Sequence, residues 1–128
     1  MLLGLTLTAC SEGYTSEAGP DPGITILSQQ DLLERQNGNG NLLLLDVRTK
    51  REYDSGHIAG AVLIPHKQVE KRLNELAEYR DRRIVVYCEV GGRARKVLNV
   101  LSEAGFENLG LLQGDMRAWR KSSLPVEH

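Results

Sequence analysis

Aromatic side chains make up only 5% of this 128-residue chain, and neither sign of charge is in surplus, 16 Lys and Arg standing against 17 Asp and Glu. A nucleic-acid surface needs a basic stripe and, for single strands, aromatic platforms on which bases stack. Nucleic acid is therefore excluded as a partner. Histidine is also scarce, with three residues, and His57 and His66 lack the usual spacing of zinc ligands, so neither a metal nor another cofactor is expected. Only two cysteines are present, Cys10 and Cys88. With 41% hydrophobic and 26% charged residues, the composition fits one compact domain with an ordinary core and no general disorder.

Residues 1–9 (MLLGLTLTA) are apolar and uncharged, too short to span a bilayer, and are followed by polar sequence, as at the end of a secretory signal. Leu7-Thr8-Ala9-Cys10 resembles a bacterial lipobox, in which cleavage precedes a cysteine that carries the lipid. No Lys or Arg precedes the apolar run, so the expectation is a signal that is truncated or starts upstream. The other reading makes residues 1–9 a buried strand or helix and Cys10 a core thiol. Residues 11–23 (SEGYTSEAGPDPG) hold two prolines and three glycines without apolar periodicity. They are expected to form a flexible tether spanning roughly 20 Å as a coil. The folded domain is then expected over residues 24–126, on an exported lipoprotein at the periplasmic face of the cell envelope, touching the membrane through its lipid anchor alone. With Cys10 lipidated, Cys88 remains a lone thiol in an oxidising compartment, where such thiols usually need a reason. A Cys10–Cys88 disulfide is the alternative.

Downstream, strand and helix patterns alternate. Gly23–Leu27 reads as a strand, and Ser28 to Asp31 offers a cap for a helix carrying Leu32 and Leu33. Leu42–Val47 is a continuous apolar run of strand length, which points to a parallel strand buried on both faces, although a leucine run also suits a helix. Thr49-Lys50-Arg51-Glu52 matches a capping box, with Gly56 closing the helix. Ala61–Ile64 reads as a strand stopped by Pro65. A helix with its apolar stripe at Val69, Leu73, Leu76 and Ala77 follows. Arg83–Tyr87 leads as a strand to Cys88, and Ala94, Val97, Leu98, Leu101 and Ala104 keep helical period up to Gly105. Phe106–Leu112 gives a last strand and Asp115–Lys121 a closing helix. Such alternation predicts a three-layer α/β/α fold around a mostly parallel sheet, with ligands bound beyond the carboxyl ends of strands, where Asp46 and Cys88 lie.

The stretch Cys88-Glu89-Val90-Gly91-Gly92-Arg93-Ala94 concentrates the chemistry. A helix beginning near Arg93 aims unsatisfied N–H groups and the positive end of its dipole at the turn, which favours a thiolate. Gly91 and Gly92 permit positive φ and close approach of backbone to sulfur. Arg93 can hold an anionic donor through two hydrogen bonds. The alternatives are an inert buried thiol at Cys88 and an Arg93 that merely pairs with Glu89 or Asp115.

Asp46-Val47-Arg48, Glu52-Tyr53, Gly56-His57-Ile58-Ala59-Gly60-Ala61, Ile64-Pro65, Cys88-x-x-Gly91-x-Arg93 and Leu112-Gln113-Gly114 with Ala118-Trp119 occur in an order and spacing that resemble the rhodanese-like sulfurtransferases, over residues 24–126. The resemblance implies a single domain with a central sheet of about five strands and a cysteine that carries sulfur as a persulfide. It further implies a small-molecule sulfur donor, a thiol or cyanide acceptor, and a monomer. Four residues separate Cys88 from Arg93, the spacing of the sulfurtransferase members, whereas the related dual-specificity phosphatases carry five. The expected reaction is a double displacement from a thiosulfate-like donor through a Cys88 persulfide, with residues 89–94 forming the donor site. Asp46 and Arg48 are expected to pair and brace the loop rather than tune the site. His57 is expected to brace its turn rather than act as a base, and Trp119 to cover the last strand or else flank the pocket mouth. Three positions depart from the family pattern: Glu89 brings a negative charge into an anion-binding loop, Ala94 replaces a common serine, and Asp115 replaces a common glycine. A non-catalytic sulfur- or partner-binding module and a redox-sensing thiol are the readings from other classes, the latter without a resolving cysteine in the folded part.

Overall fold

The computed structural model describes residues 23–38 and 41–128. The expected signal at residues 1–9, the lipidated Cys10 and the tether up to residue 22 lie outside the described residues. Strands β1 (Ile24–Leu27), β2 (Leu42–Asp46), β3 (His57–Ile58), β4 (Val62–Leu63), β5 (Arg83–Tyr87), β6 (Leu109–Leu112) and β7 (Val126–Glu127) alternate with helices α1 (Gln29–Gln36), α2 (Lys50–Asp54), α3 (Gly92–Glu103) and α4 (Asp115–Lys121). Five strands form one sheet in the order β1-β6-β5-β2-β4. Every pairing in it is parallel, so the expected architecture holds.

Each central strand feeds both faces of this sheet, which is why its sequence is apolar without alternation. Leu43, Leu45, Ile84 and Val86 pack with Val97, Leu98 and Leu101 of α3 on one side. Leu44, Val85 and Tyr87 pack with Leu32 of α1 and with Met116 and Trp119 of α4 on the other. Register sets Asp46 beside Tyr87, so the ends of β2 and β5 lie together. From β2 the chain moves outward to β4, and from β5 it moves the opposite way to β6. Their adjacent carboxyl ends therefore form the topological switch point, where parallel sheets open a crevice.

Several boundaries differ from expectation. The segment after Pro65 is not an α-helix but two 3₁₀ segments, His66–Gln68 and Glu70–Tyr79, interrupted at Arg72 (φ −115°, ψ 22°). Its core stripe follows the three-residue period of that helix type: Leu73, Leu76 and Tyr79 face the core while Ala77 is exposed. The strands expected at Ala61–Ile64 and Phe106–Leu112 shorten to Val62–Leu63 and Leu109–Leu112. The chain also closes with an antiparallel pair, β3 with β7, that was not expected.

Candidate functional site

β5 delivers Cys88 to the switch point, and the next residues turn sharply into α3. The Cys88 sulfur is almost wholly enclosed, the residue being 1% exposed, and carries a free thiol. Two backbone N–H groups donate to Sγ, from Gly91 at 3.0 Å and from Ala94 at 3.3 Å. Gly91 (φ 108°, ψ −27°) caps α3, and this left-handed conformation is what turns its N–H inward. A Cβ there would stand 3.2 Å from Asp115 Oδ2. Two amides at a helix start are thus placed to donate to whatever sulfur Cys88 carries.

The other wall of the cradle is the start of α4. Asp115 is buried at φ 56° and accepts the Cys88 N–H on Oδ1 at 2.9 Å. The Cys88 carbonyl accepts from Met116 N at 2.9 Å and the Glu89 carbonyl from Arg117 N at 3.2 Å, which stitches the loop to this helix. Burial lifts the Asp115 carboxyl above its ordinary range, the Cys88 N–H and Arg95 draw it partly back, and Glu89 adds to the rise. A glycine at this position would adopt the same φ freely, so the carboxylate here is bound to the loop at the cost of backbone strain.

Beneath the loop, Asp46 and Arg48 form a fully buried pair, with Arg48 Nη2 2.8 Å from Asp46 Oδ2 and Nε 3.1 Å from Oδ1. Arg48 also donates to the Gly56 carbonyl at 2.8 Å, lies over the Tyr87 ring, and reaches Glu89 Oε1 at 3.4 Å. Burial opposes the Arg48 charge, but its hydrogen bonds to Asp46 and the surrounding negative charge outweigh that and raise its pKa. Burial, then the Asp46 charge, pushes the Tyr87 hydroxyl far above its ordinary range, and that hydroxyl accepts the Ile58 N–H at 3.1 Å. Pairing and bracing by Asp46 and Arg48 is thus what the structure displays.

Arg93 departs from expectation. Its two terminal nitrogens lie 2.8 and 3.0 Å from the Glu52 oxygens, a two-point pair that joins α3 to α2 and leaves the guanidinium engaged instead of open to a donor. The partner is neither Glu89 nor Asp115. The Arg93 fork, then the Thr49 bonds, outweigh burial and push the Glu52 carboxyl down to about 2. Glu89 in turn pairs with Arg120 of α4 as well as Arg48. Nearby His66 is held below its ordinary pKa, first by burial and then by the charge of Arg93.

Of the remaining expected residues, Val90 stands 59% exposed at the loop tip. Gly92 opens α3 outside the positive-φ region, so only one of the two glycines needs left-handed freedom. The His57 Nδ1 lies 2.9 Å from the Tyr53 carbonyl and its ring stacks on Tyr53 at 3.6 Å between centroids. Trp119 is a core residue whose Nε1 donates to the Pro125 carbonyl at 2.8 Å, not a flank of the pocket mouth. Sequence reasoning missed Glu52 as partner of Arg93 and Arg120 as partner of Glu89. Glu52 stood out only in a capping box, which it also completes, and in the Glu52-Tyr53 motif, neither of which points to Arg93.

The rhodanese-like domain model matches residues 28–122. A "Probable adenylyltransferase/sulfurtransferase MoeZ" of Mycobacterium tuberculosis is 33% identical over 99 residues, which cover 77% of this chain and 25% of that protein. The chain thus spans about a quarter of that relative's length. A sulfurtransferase of Allochromatium vinosum is 29% identical over 100 residues, covering 78% of this chain and 92% of the relative. Among solved structures, a rhodanese-related protein from Thermoplasma volcanium superposes with a TM-score of 0.71 at 27% identity, covering 80% of this chain and 97% of that one. With the motif loop, the sheet order and these matches together, the chain belongs to the rhodanese-like domain family.

Proposed function

We propose that the protein is a sulfurtransferase that moves a sulfane sulfur from a thiosulfate-like donor to a thiol or cyanide through a persulfide on Cys88. The observation that carries this reading is the pair of backbone N–H groups, from Gly91 and Ala94, directed at Sγ. In the first step the Cys88 thiolate attacks the outer sulfur of the donor. The new bond is Sγ–S, the donor's S–S bond breaks, and its electron pair leaves with sulfite when the donor is thiosulfate. The product persulfide anion keeps its negative charge near the two amides and the α3 start, whose dipoles are already oriented and need no rearrangement. In the second step the acceptor attacks the outer sulfur and Cys88 departs as the thiolate it began as.

Intact mass after incubation with thiosulfate tests this directly. A gain of one sulfur atom that cyanide clears and that Cys88→Ser lacks is expected; no adduct from any sulfane donor sinks the proposal. The setting we propose is the periplasmic face of the cell envelope, with Cys10 lipidated, on the strength of Leu7-Thr8-Ala9-Cys10. Incorporation of labelled fatty acid that Cys10→Ser abolishes is the corresponding check.

A further inference from the structure

Arg83 opens β5 at the end of the sheet opposite Cys88, five residues and roughly 16 Å of strand away. Its Nη1 is buried and has no hydrogen-bond partner, which is costly for a group that carries charge. The side chain reaches over β6, where a Cβ on Gly110 would stand 3.3 Å from Nη1, so a glycine there makes room for the guanidinium. Burial lowers the Arg83 pKa, and the charge of Arg35, in the last turn of α1, lowers it further. Among the described residues neither arginine pairs with a carboxylate, and Glu34, next to Arg35, is bonded to Gln30 at 3.0 Å. The carbonyl end of α1 supplies only about half a negative charge against two guanidiniums.

Arg35, Gly38, Asn41, Leu42 and Arg83 line a cavity of about 120 Å³. A second cavity, of about 400 Å³ and walled by Leu44, Ala59 and Gly60, adjoins it through Arg35 and Leu42, which border both. Gln36 ties α1 to the far wall by donating to the Ala59 carbonyl at 2.9 Å. A small charged compartment beside a larger one with aliphatic walls is the division found in sites for small organic ligands. A phosphate dianion balances two guanidinium charges and offers enough oxygens to accept from both. We propose that Arg35 and Arg83 form a second ligand site, separate from the Cys88 loop, which binds the phosphate of a small phosphate monoester whose apolar part lies along Leu42, Leu44 and Ala59. The buried Nη1 then gains an acceptor, and the repulsion between the two arginines is relieved.

Calorimetric titration of the full chain with phenyl phosphate, inorganic phosphate and phenol separates the two compartments. Phenyl phosphate is expected to bind at least about tenfold more tightly than inorganic phosphate, through burial of its ring, and phenol not to bind measurably. Arg35→Gln and Arg83→Gln should each weaken phenyl phosphate by about 10–100-fold, the loss that goes with a hydrogen bond to a charged group. Cys88→Ser should bind it as wild type does. Without ligand, Arg83→Gln should melt no lower than wild type, since it removes a buried, unpartnered nitrogen beside a like charge. Arg35 is exposed, so a binding defect in Arg35→Gln does not depend on how Arg83→Gln folds. No saturable binding of phenyl phosphate at millimolar concentration overturns the proposal. Equal affinity for phenyl phosphate and inorganic phosphate, an affinity unmoved by Arg35→Gln, or one abolished by Cys88→Ser overturns it as well.

Discussion

Gly91 and Gly92 are adjacent and identical in chemistry, yet replacing each with alanine is expected to give opposite results. At Gly91 the backbone holds φ 108° and ψ −27°, where a side chain costs about 1–3 kcal/mol. The new Cβ would also sit 3.2 Å from Asp115 Oδ2, on a side chain fixed by its bond to the Cys88 N–H, and disturbing that buried bond adds about 1 kcal/mol. Gly91→Ala should therefore lose about 2–4 kcal/mol of stability. Any relaxation that relieves φ rotates the Gly91 N–H away from Sγ, and loss of one preorganised donor to a developing anion slows a reaction by roughly 10²-fold. Gly92 is exposed, outside the positive-φ region, and a Cβ there meets nothing within 4 Å. As the first residue of α3, alanine there should be neutral or stabilising by up to about 1 kcal/mol. Urea unfolding gives the stabilities, and the rate of Cys88 alkylation by iodoacetamide, together with persulfide formation, gives the reactivity. Equal stabilities within about 0.5 kcal/mol, or an unaltered alkylation rate in Gly91→Ala, would refute the account of the cradle.

Glu52→Gln keeps the capping bond to Thr49 but removes the charge facing Arg93. Because the folded Glu52 carboxyl is depressed to about 2 from the usual 4.5, its contribution is present above pH 4.5 and disappears as pH falls toward 2. Both side chains are about a third exposed, so the wild-type advantage at pH 7 should be about 1 kcal/mol or less and should vanish near pH 2 in acid-range urea melts; a constant difference across that range would argue against the pair. Asp46→Ala should cost about 3–5 kcal/mol, since it strips buried Arg48 of its close carboxylate and leaves only the 3.4 Å contact to Glu89. The double variant Asp46→Leu/Arg48→Met should recover most of that loss, and simple additivity of the two single changes would contradict the coupling.

What the sequence reveals and conceals follows interaction range. The four leucines of β2 read as a strand buried on both faces, with a helix as the alternative, because the run is continuous and of strand length, and α4 fell at Asp115–Lys121 because Leu112-Gln113-Gly114 ends β6 just before it. The segment after Pro65 was harder: over so short a window Val69, Leu73, Leu76 and Ala77 satisfy a 3.6-residue period, and only the burial of Tyr79 in place of Ala77 reveals a period of three. β3 and β7 contain two residues each, too few for any periodicity, and pair across 68 to 70 residues of sequence. The site divides the same way. The Cys88 loop was legible as a thiolate cradle because its donors come from residues three and six positions ahead. Glu52 meets Arg93 across 41 residues and Arg120 meets Glu89 across 31, so no local pattern announces either.

That division separates two properties of the site. Backbone N–H groups act on the sulfur at contact distance, and the effect of a dipole fades within a turn of helix. They stabilise whatever sulfur anion Cys88 carries, regardless of the molecule that delivered it. Side-chain charges at the rim, such as Glu89 with its partners Arg48 and Arg120, act over a Debye length of about 8–10 Å and are felt by a donor before it reaches the sulfur. Gly91→Ala should consequently slow persulfide formation from thiosulfate and from cysteine persulfide by the same factor. Glu89→Gln should change the ratio between them, and added salt should shrink that change while leaving the effect of Gly91→Ala intact. A salt-sensitive Gly91→Ala defect, or a salt-insensitive Glu89→Gln shift, would show that backbone and side chains do not act separately here.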